Sequence, residues 1–358
     1  MGAGALYIVI FVLIFNWNSR SHSFYHLLFL SECLFLMNTT KMLYHQPRPY
    51  FVDDEINSLE SCTAEYGNPS GHSLFSAAFF MFIYLDVWHI DSQKRKESQT
   101  KWLLSLFGCV FMFILIGFAR LYVGAHSMNQ ILYGWLLGIW IALYNHYCFR
   151  EFIIDHIETV IHRKSRYQQR KNFNITQSII VATALFLTVY FIQILTYIIV
   201  DVTFTADPIW EQRIYLKCSN IEAGTRQMFN DKSVLFASIT VIVYTSYLAL
   251  ISNRRQFGAT WPDMYKTSIK KVLLRFVIIG LLCGLPGLII LIKFQLDIAI
   301  LIIIKTAVCM IIGFLLFGVT HYFFVKFDLL NNENKNENDD EECETSLISQ
   351  ETAENKIN

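Results

Sequence analysis

The chain is predicted to be an all-α, polytopic membrane helix bundle of about nine spans, and three observations carry that expectation. Hydrophobic residues make up 54% of the sequence. Charged residues make up only 16%, against about a quarter in ordinary soluble domains. The apolar residues gather into runs of about 17–25 residues, which suit helices, since barrel strands would be about half as long. The formal net charge is zero, and no nucleic acid is expected as a partner.

Taken in order, the apolar segments cover 3–16, 23–40, 73–90, 102–119, 128–149, 175–200, 233–251, 272–292 and 298–325. The first is short, has no cleavage-site pattern and runs straight into the second, so it reads as an uncleaved helix. The last contains Lys305, which should face the bundle or snorkel to the interface. Five regions follow from this spacing. Residues 1–40 hold two N-terminal spans, 41–149 a core with three polar motifs, 150–174 a basic connector, 175–325 a four-span C-terminal region, and 326–358 an acidic tail. The tail, rich in Asn, Glu and Asp, cannot build a core and is expected to be disordered. The connector interleaves Ile, Val and Tyr with its basic residues. It reads equally as a helix lying on anionic headgroups or as a solvated loop.

Connectors between odd and even spans alternate between two sides of the membrane. Sixteen basic residues fall on the side of Arg20, Lys94, Arg163 and Arg254, and eight on the side of Lys41, Arg48, Arg120, Arg213 and Lys217. An excess of Lys and Arg marks the cytosolic side, so the second set is expected to face the lumen or the exterior. Cys33, Cys109, Cys148, Cys283 and Cys309 lie in or at apolar runs and read as small hydrophobes. Cys62 and Cys218 lie on the lumenal side, where an oxidising compartment would allow them to pair.

Three polar strings interrupt this apolar background. The first is Lys41-Met-Leu-Tyr-His-Gln-Pro-Arg48-Pro49. Lys41 and Arg48 are two helical turns apart, on one helix face, and the flanking prolines should stop the helix at Arg48. Taken alone, the two cations would pass for interfacial anchors. Beside one another they form a clamp for a phosphoryl group. The second string, Asn68-Pro69-Ser70-Gly71-His72-Ser73, precedes an apolar run where a helix should begin. Ser70 can cap that helix, Gly71 lets an anion approach the backbone, and His72 falls in the first turn beside it. A plain helix cap would explain Ser70 and Gly71 but not His72. The third string runs from Arg120 through Gly124 and His126 to Gln130. Gly124 allows a bend between Arg120 and His126. Gln130, four residues after His126, offers its carbonyl oxygen to one ring nitrogen and so would orient the imidazole.

The three strings together resemble the type 2 phosphatidic acid phosphatase superfamily, which also includes vanadium haloperoxidases and glucose-6-phosphatase. The family pattern is K-x6-R-P, then P-S-G-H, then S-R-x5-H-x3-D. The chain matches the first two in full and the third at Arg120 and His126. It departs at Ala119, where Ser is common, and at Gln130, where most members carry Asp and the glucose-6-phosphatase branch carries Gln. A fainter echo of that branch is the Trp210-x-Gln212-Arg213…Cys218 stretch. The resemblance implies a phosphatase core over 41–149 and an active phosphoric monoester hydrolase. His126 would be the nucleophile and form a phosphohistidine, and His72 the general acid. Lys41, Arg48, Arg120, Ser70 and the Gly71 backbone would bind the phosphoryl oxygens, with no metal and no cofactor.

The expected substrate is a lipid phosphate, such as phosphatidate, lysophosphatidate or a sphingoid-base phosphate, since a site at the bilayer edge meets such head groups directly. A sugar phosphate is the enzyme alternative, carried by Gln130 and the span count. Membrane lipids are the expected surroundings and the endoplasmic reticulum the expected membrane. A transporter reading rests on Lys305 and Arg275 within apolar runs, but transport charges belong near mid-membrane, whereas the three strings sit at span ends. Gln130 also motivates a reading as an inactive relative that binds phospholipid.

Overall fold

Eight of the nine expected apolar segments are helices in a computed structural model of the chain, which describes residues 12, 15, 16, 19–59, 63–90, 98–161, 174–218, 231–257, 267–292 and 298–330. The remaining segment, 3–16, falls mostly outside the described residues, with Val12, Phe15 and Asn16 helical. In chain order the helices are α1 (Arg20–Tyr44), α2 (Pro49–Val52), α3 (Gly71–Ile90), α4 (Gln99–Tyr122) and α5 (Met128–Tyr144). A π-helical turn at Asn145–Phe149 leads directly into α6 (Arg150–Ile161). There follow α7 (Ile175–Thr203), α8 (Pro208–Lys217), α9 (Asp231–Phe257), α10 (Ile269–Leu291) and α11 (Ile298–Phe314), then a second π turn at Leu315–Val319 and α12 (Thr320–Lys326). No strand occurs among the described residues. The chain is a multi-pass, all-helical membrane protein.

Five stretches are long and apolar enough to cross a membrane on their own: 71–88, 99–122, 175–203, 269–289 and 300–326. Helix α1 is more polar because it runs inside the bundle. Its Ser21, Ser23, His26, Ser31, Asn38, Thr39 and Lys41 are all buried. One core cluster joins Tyr25, Phe29, Cys33 and Met37 of α1 to Leu74, Ala78 and Phe82 of α3 and to Ile141 and Ala142 of α5. Within it the Phe29 and Phe82 rings stack 3.8 Å apart. A second cluster ties Phe24 and Leu27 of α1 to Tyr247, Leu250 and Ile251 of α9 and to Phe317 and Phe324.

Helices α3 and α5 pack backbone to backbone. A side chain at Gly138 would bring its Cβ within 2.4 Å of the Leu74 carbonyl oxygen, and one at Gly134 within 2.9 Å of the Ser70 carbonyl oxygen. Small residues allow such backbone contact between membrane helices, where packing rather than water exclusion holds the bundle. This seam places the N-termini of α3 and α5 side by side. Because neighbouring spans run antiparallel, the C-termini of α1 and α4 arrive at the same end, and the three motifs meet there.

The connector differs from both sequence expectations over its first half. Residues 150–161 form α6, and Ile154, Ile157, Val160 and Ile161 bury one side of it against α1 and α9. Apolar residues at helical spacing outweigh the basic ones there, so the helix belongs to the core rather than to the headgroups. Residues 162–173 lie outside the described part. At this end of the bundle Asp86 of α3 accepts from Arg150 Nε at 2.9 Å and sits 3.1 Å from His26 Nε2, which ties α1, α3 and α6 together. At the opposite end, α8 packs on α2 through Tyr50, Phe51, Ile214, Cys218 and Trp210. Cys218 is disulfide-bonded, and its partner lies outside the described residues, as does Cys62. Cys33, Cys109, Cys148, Cys283 and Cys309 are free thiols.

Candidate active site

Lys41 lies in the last turn of α1, which ends at Tyr44 because His45 takes a left-handed conformation (φ 33°) and Pro47 follows. Arg48 stands at the N-cap of α2 with Pro49 behind it. The two cations therefore do not share a helix face, as their spacing suggested. A third residue brings them together. Lys41 Nζ donates to Glu65 Oε2 at 2.8 Å, and Arg48 Nε donates to the Glu65 backbone oxygen at 2.7 Å. All three side chains are buried. Sequence reasoning missed Glu65. The available signal was weak: Glu65 is one of five acids between Pro49 and Asn68, set apart only by its place just ahead of Asn68-Pro69.

Ser70 is fully buried at the start of α3. Its Oγ accepts from Ser73 N–H at 3.4 Å and lies 3.0 Å from Ser73 Oγ, so the hydroxyl serves as a helix cap. Its own N–H donates to the Gln130 backbone oxygen at 3.0 Å and locks the second motif onto the third. Gly71 and His72 form the first turn of α3, both half-buried. The helix N-terminus they open carries the positive end of the dipole.

Arg120 closes α4, and the chain turns through Gly124 (φ 68°) to reach His126. The His126 ring is held on both nitrogens. Arg48 Nη1 donates to His126 Nε2 at 3.0 Å and to the Ala125 oxygen at 3.0 Å. With Nε2 accepting, the ring proton resides on Nδ1. It faces the Gly67 oxygen at 3.0 Å and Gln130 Oε1 at 3.2 Å. Gln130 Oε1 also accepts from Ser127 N–H at 3.3 Å, completing a capping box at the start of α5, while its Nε2 donates to the Pro47 oxygen at 2.8 Å. A carboxylate could not make that last bond, because it has no donor. Burial, and then the Arg48, Lys41 and Arg120 charges, hold the His126 pKa well below the ordinary histidine value. The ring is neutral at physiological pH. A cavity of about 360 Å³ opens beside Gln130, lined among others by Gln46, Asp53, Ser127 and Asn129.

The structure thus brings Lys41, Arg48, His126 and Gln130 into one bonded set, with Ser70 in its wall. Arg120 is near enough for its charge to act on His126. Fold and site define a class: a membrane helix bundle with a buried histidine set among cations at one end, assembled from three separated motifs. Residues 5–154 match the family model of the PAP2 superfamily. The segment from 155 onward lies outside the match. Undecaprenyl-diphosphatase of Sulfolobus acidocaldarius is 28% identical over 107 residues, which cover 30% of this chain and 45% of that protein. Dolichyldiphosphatase 1 of Homo sapiens is 32% identical over 78 residues, covering 21% of this chain and 32% of that protein. The matched part spans less than half the length of these curated relatives. No solved structure matches the chain.

Proposed function

We propose that the protein is an integral-membrane phosphatase that removes the terminal phosphoryl group of a lipid phosphate through a phosphohistidine on His126. The observation that carries this reading is the His126 ring: neutral, oriented through Nδ1–H, and presenting Nε2 to a guanidinium where a phosphate oxygen would bind. Names of the relatives, undecaprenyl- and dolichyl-diphosphatase, extend the substrate class to long-chain lipid diphosphates. In that case the bond broken is a phosphoanhydride rather than a monoester.

Each residue then has a task. Lys41, Arg48 and Arg120, with the amides at the start of α3, hold the non-bridging oxygens and the charge that develops on them. His126 Nε2 attacks phosphorus as the bond to the leaving oxygen breaks, and His72 protonates that oxygen. The imidazolium formed keeps its Nδ1 proton, shared with Gly67 O and Gln130 Oε1. His72, now neutral, takes a proton from a water that attacks the phosphohistidine. The P–N bond breaks and phosphate leaves. The charge distribution supports a lumenal or extracellular site, as does the disulfide at Cys218 on the same side, since such bridges persist in oxidising compartments. The endoplasmic reticulum suits that placement.

Phosphate release by detergent-purified protein tests the reading, on a panel of phosphatidate, lysophosphatidate, a sphingoid-base phosphate, dolichyl diphosphate and glucose 6-phosphate. A substrate labelled in its terminal phosphate should leave acid-labile label on wild type and none on His126→Ala. Turnover without any trapped label, under conditions that trap a control phosphohistidine, would sink the covalent step. A sugar phosphate is the second reading, favoured by the Gln46, Asp53 and Asn129 side chains that join Pro47, Pro49, Val52 and Ile56 around the cavity beside Gln130. Glucose 6-phosphate outpacing every lipid on the panel would select it.

A further inference from the structure

We propose that α8 is a latch that positions Arg48 from outside the family-matching region, with Arg213 and Lys217 as its two catches. The proposal rests on the phosphatase reading above. Helix α2 is a single turn, too short to hold its own shape. Its C-terminal carbonyls have no partners within the turn, and these are what α8 engages. Arg213 Nη1 donates to the Val52 oxygen and, at 3.4 Å, to the Phe51 oxygen. The other side of its guanidinium forks onto Asp54, Nε to Oδ1 at 2.7 Å and Nη2 to Oδ2 at 2.9 Å. Lys217 Nζ donates to the Ile56 oxygen at 3.0 Å and to the Asp53 oxygen. Two cations thus grip the end of the turn that begins at Arg48 and the residues just beyond it.

The grip is transmitted inward. Tyr50 and Phe51 are buried against Ile214 and Cys218, so α2 cannot slide under the clamp. Tyr50 Oη donates to the Thr63 oxygen at 2.8 Å, fixing the strand of chain that ends in Glu65. Glu65 in turn holds Arg48 Nε and Lys41 Nζ. A second contact from the same C-terminal segment lies next to Lys41, where Phe204 rests 3.7 Å from the His45 ring. Arg213 and Lys217 hydrogen-bond to none of Lys41, Arg48, His72, Arg120, His126 or Gln130; their bonds go to Phe51, Val52, Asp53, Asp54 and Ile56. They act through the backbone that aims Arg48 at His126 Nε2, so they are positioning residues.

The test uses full-length protein in detergent, a soluble aryl phosphate as substrate and orthovanadate as the phosphate-like probe. Arg213→Ala should weaken vanadate inhibition and lower kcat/KM by about ten- to a hundredfold, as small misplacements of catalytic groups do. Arg213→Lys should recover part of this, since it keeps one donor for the carbonyls but loses the fork. Asp54→Ala, at an exposed position, should move both quantities the same way and by less while leaving the melting temperature near wild type. If Arg213→Ala fails to fold, Asp54→Ala decides. Vanadate affinity and kcat/KM within about twofold of wild type in the folded variants would overturn the latch. Wild-type protein that neither turns over nor binds vanadate overturns the phosphatase reading instead, and the latch with it.

Discussion

His126 is fastened on both ring nitrogens before any substrate arrives, and the predictions at this scale follow from that. His126→Ala should abolish turnover with expression intact; a rate above about a tenth of wild type would remove it as nucleophile. Its low pKa has a sign that can be checked. The unfolded ring binds a proton at about pH 6.5, while the folded ring stays neutral there. Below that pH the unfolded state gains protons the native state refuses, so stability falls as pH drops. The slope of melting temperature against pH between 5 and 6.5 should be shallower in His126→Asn. Gln130 separates two functions of one amide, because its oxygen serves His126 and its nitrogen serves Pro47. Activity should rank wild type above Gln130→Glu, which keeps the acceptor, and that above Gln130→Leu, which keeps neither. Leucine matching wild type would mean that Gly67 alone orients the ring. Glu65→Ala should cost about 3–5 kcal/mol, read in chemical denaturation, because it strands buried Lys41 without its counter-charge. The histidines and cations were legible as motifs. Glu65 was not, since its burial depends on a loop folding back between two helices, which no local spacing encodes.

At the scale of elements, apolar run length was enough to place the spans, because a backbone in lipid has few options. It did not tell which helix lies inside. Helix α1 is too polar to stand out as a span yet lies inside the bundle, its serines and His26 buried among neighbours rather than facing water. A helix at 150–161 was one of two sequence readings, but its place in the core was hidden by its charges, although Ile154, Ile157 and Ile161 already carried helical spacing. The α3–α5 seam makes a sharp prediction. Gly138→Ala drives a methyl into backbone atoms of Leu74 and Ala78 and should destabilise by about 1–3 kcal/mol, with activity lost as Ser70 and His126 move apart. Gly280→Ala on α10 meets nothing within 4 Å and should leave melting temperature and turnover unchanged. Equal behaviour of the two variants would mean that the seam is not where the site is set.

For the molecule as a whole, the alternation of spans was read from charge counts, and the contact between α8 and α2 puts positions near Asp54 and Arg213 on one side. Cysteines placed at Glu55 and Glu211, in a background lacking exposed Cys148, should react with an impermeant thiol reagent from the lumenal or outer face. Cysteines at Lys94 and Arg163 should react from the cytosolic face. Labelling of Glu55 and Lys94 positions from the same side would invert the charge argument. The C-terminal helices were legible as spans but not as contributors to the site, because Arg213 and Lys217 lie more than 150 residues from the backbone they hold.

The bond between Arg48 and His126 Nε2 also governs what the resting pocket admits. Zinc and copper ions bind imidazole through a free nitrogen lone pair, and here one nitrogen is covered by a guanidinium and the other carries a held proton. Such ions should find no foothold on His126. A phosphate ester differs, because it brings the negative charge that draws Arg48 away. On the proposed reading, arrival of the substrate and unmasking of His126 become one event, and the resting site stays chemically quiet between turnovers.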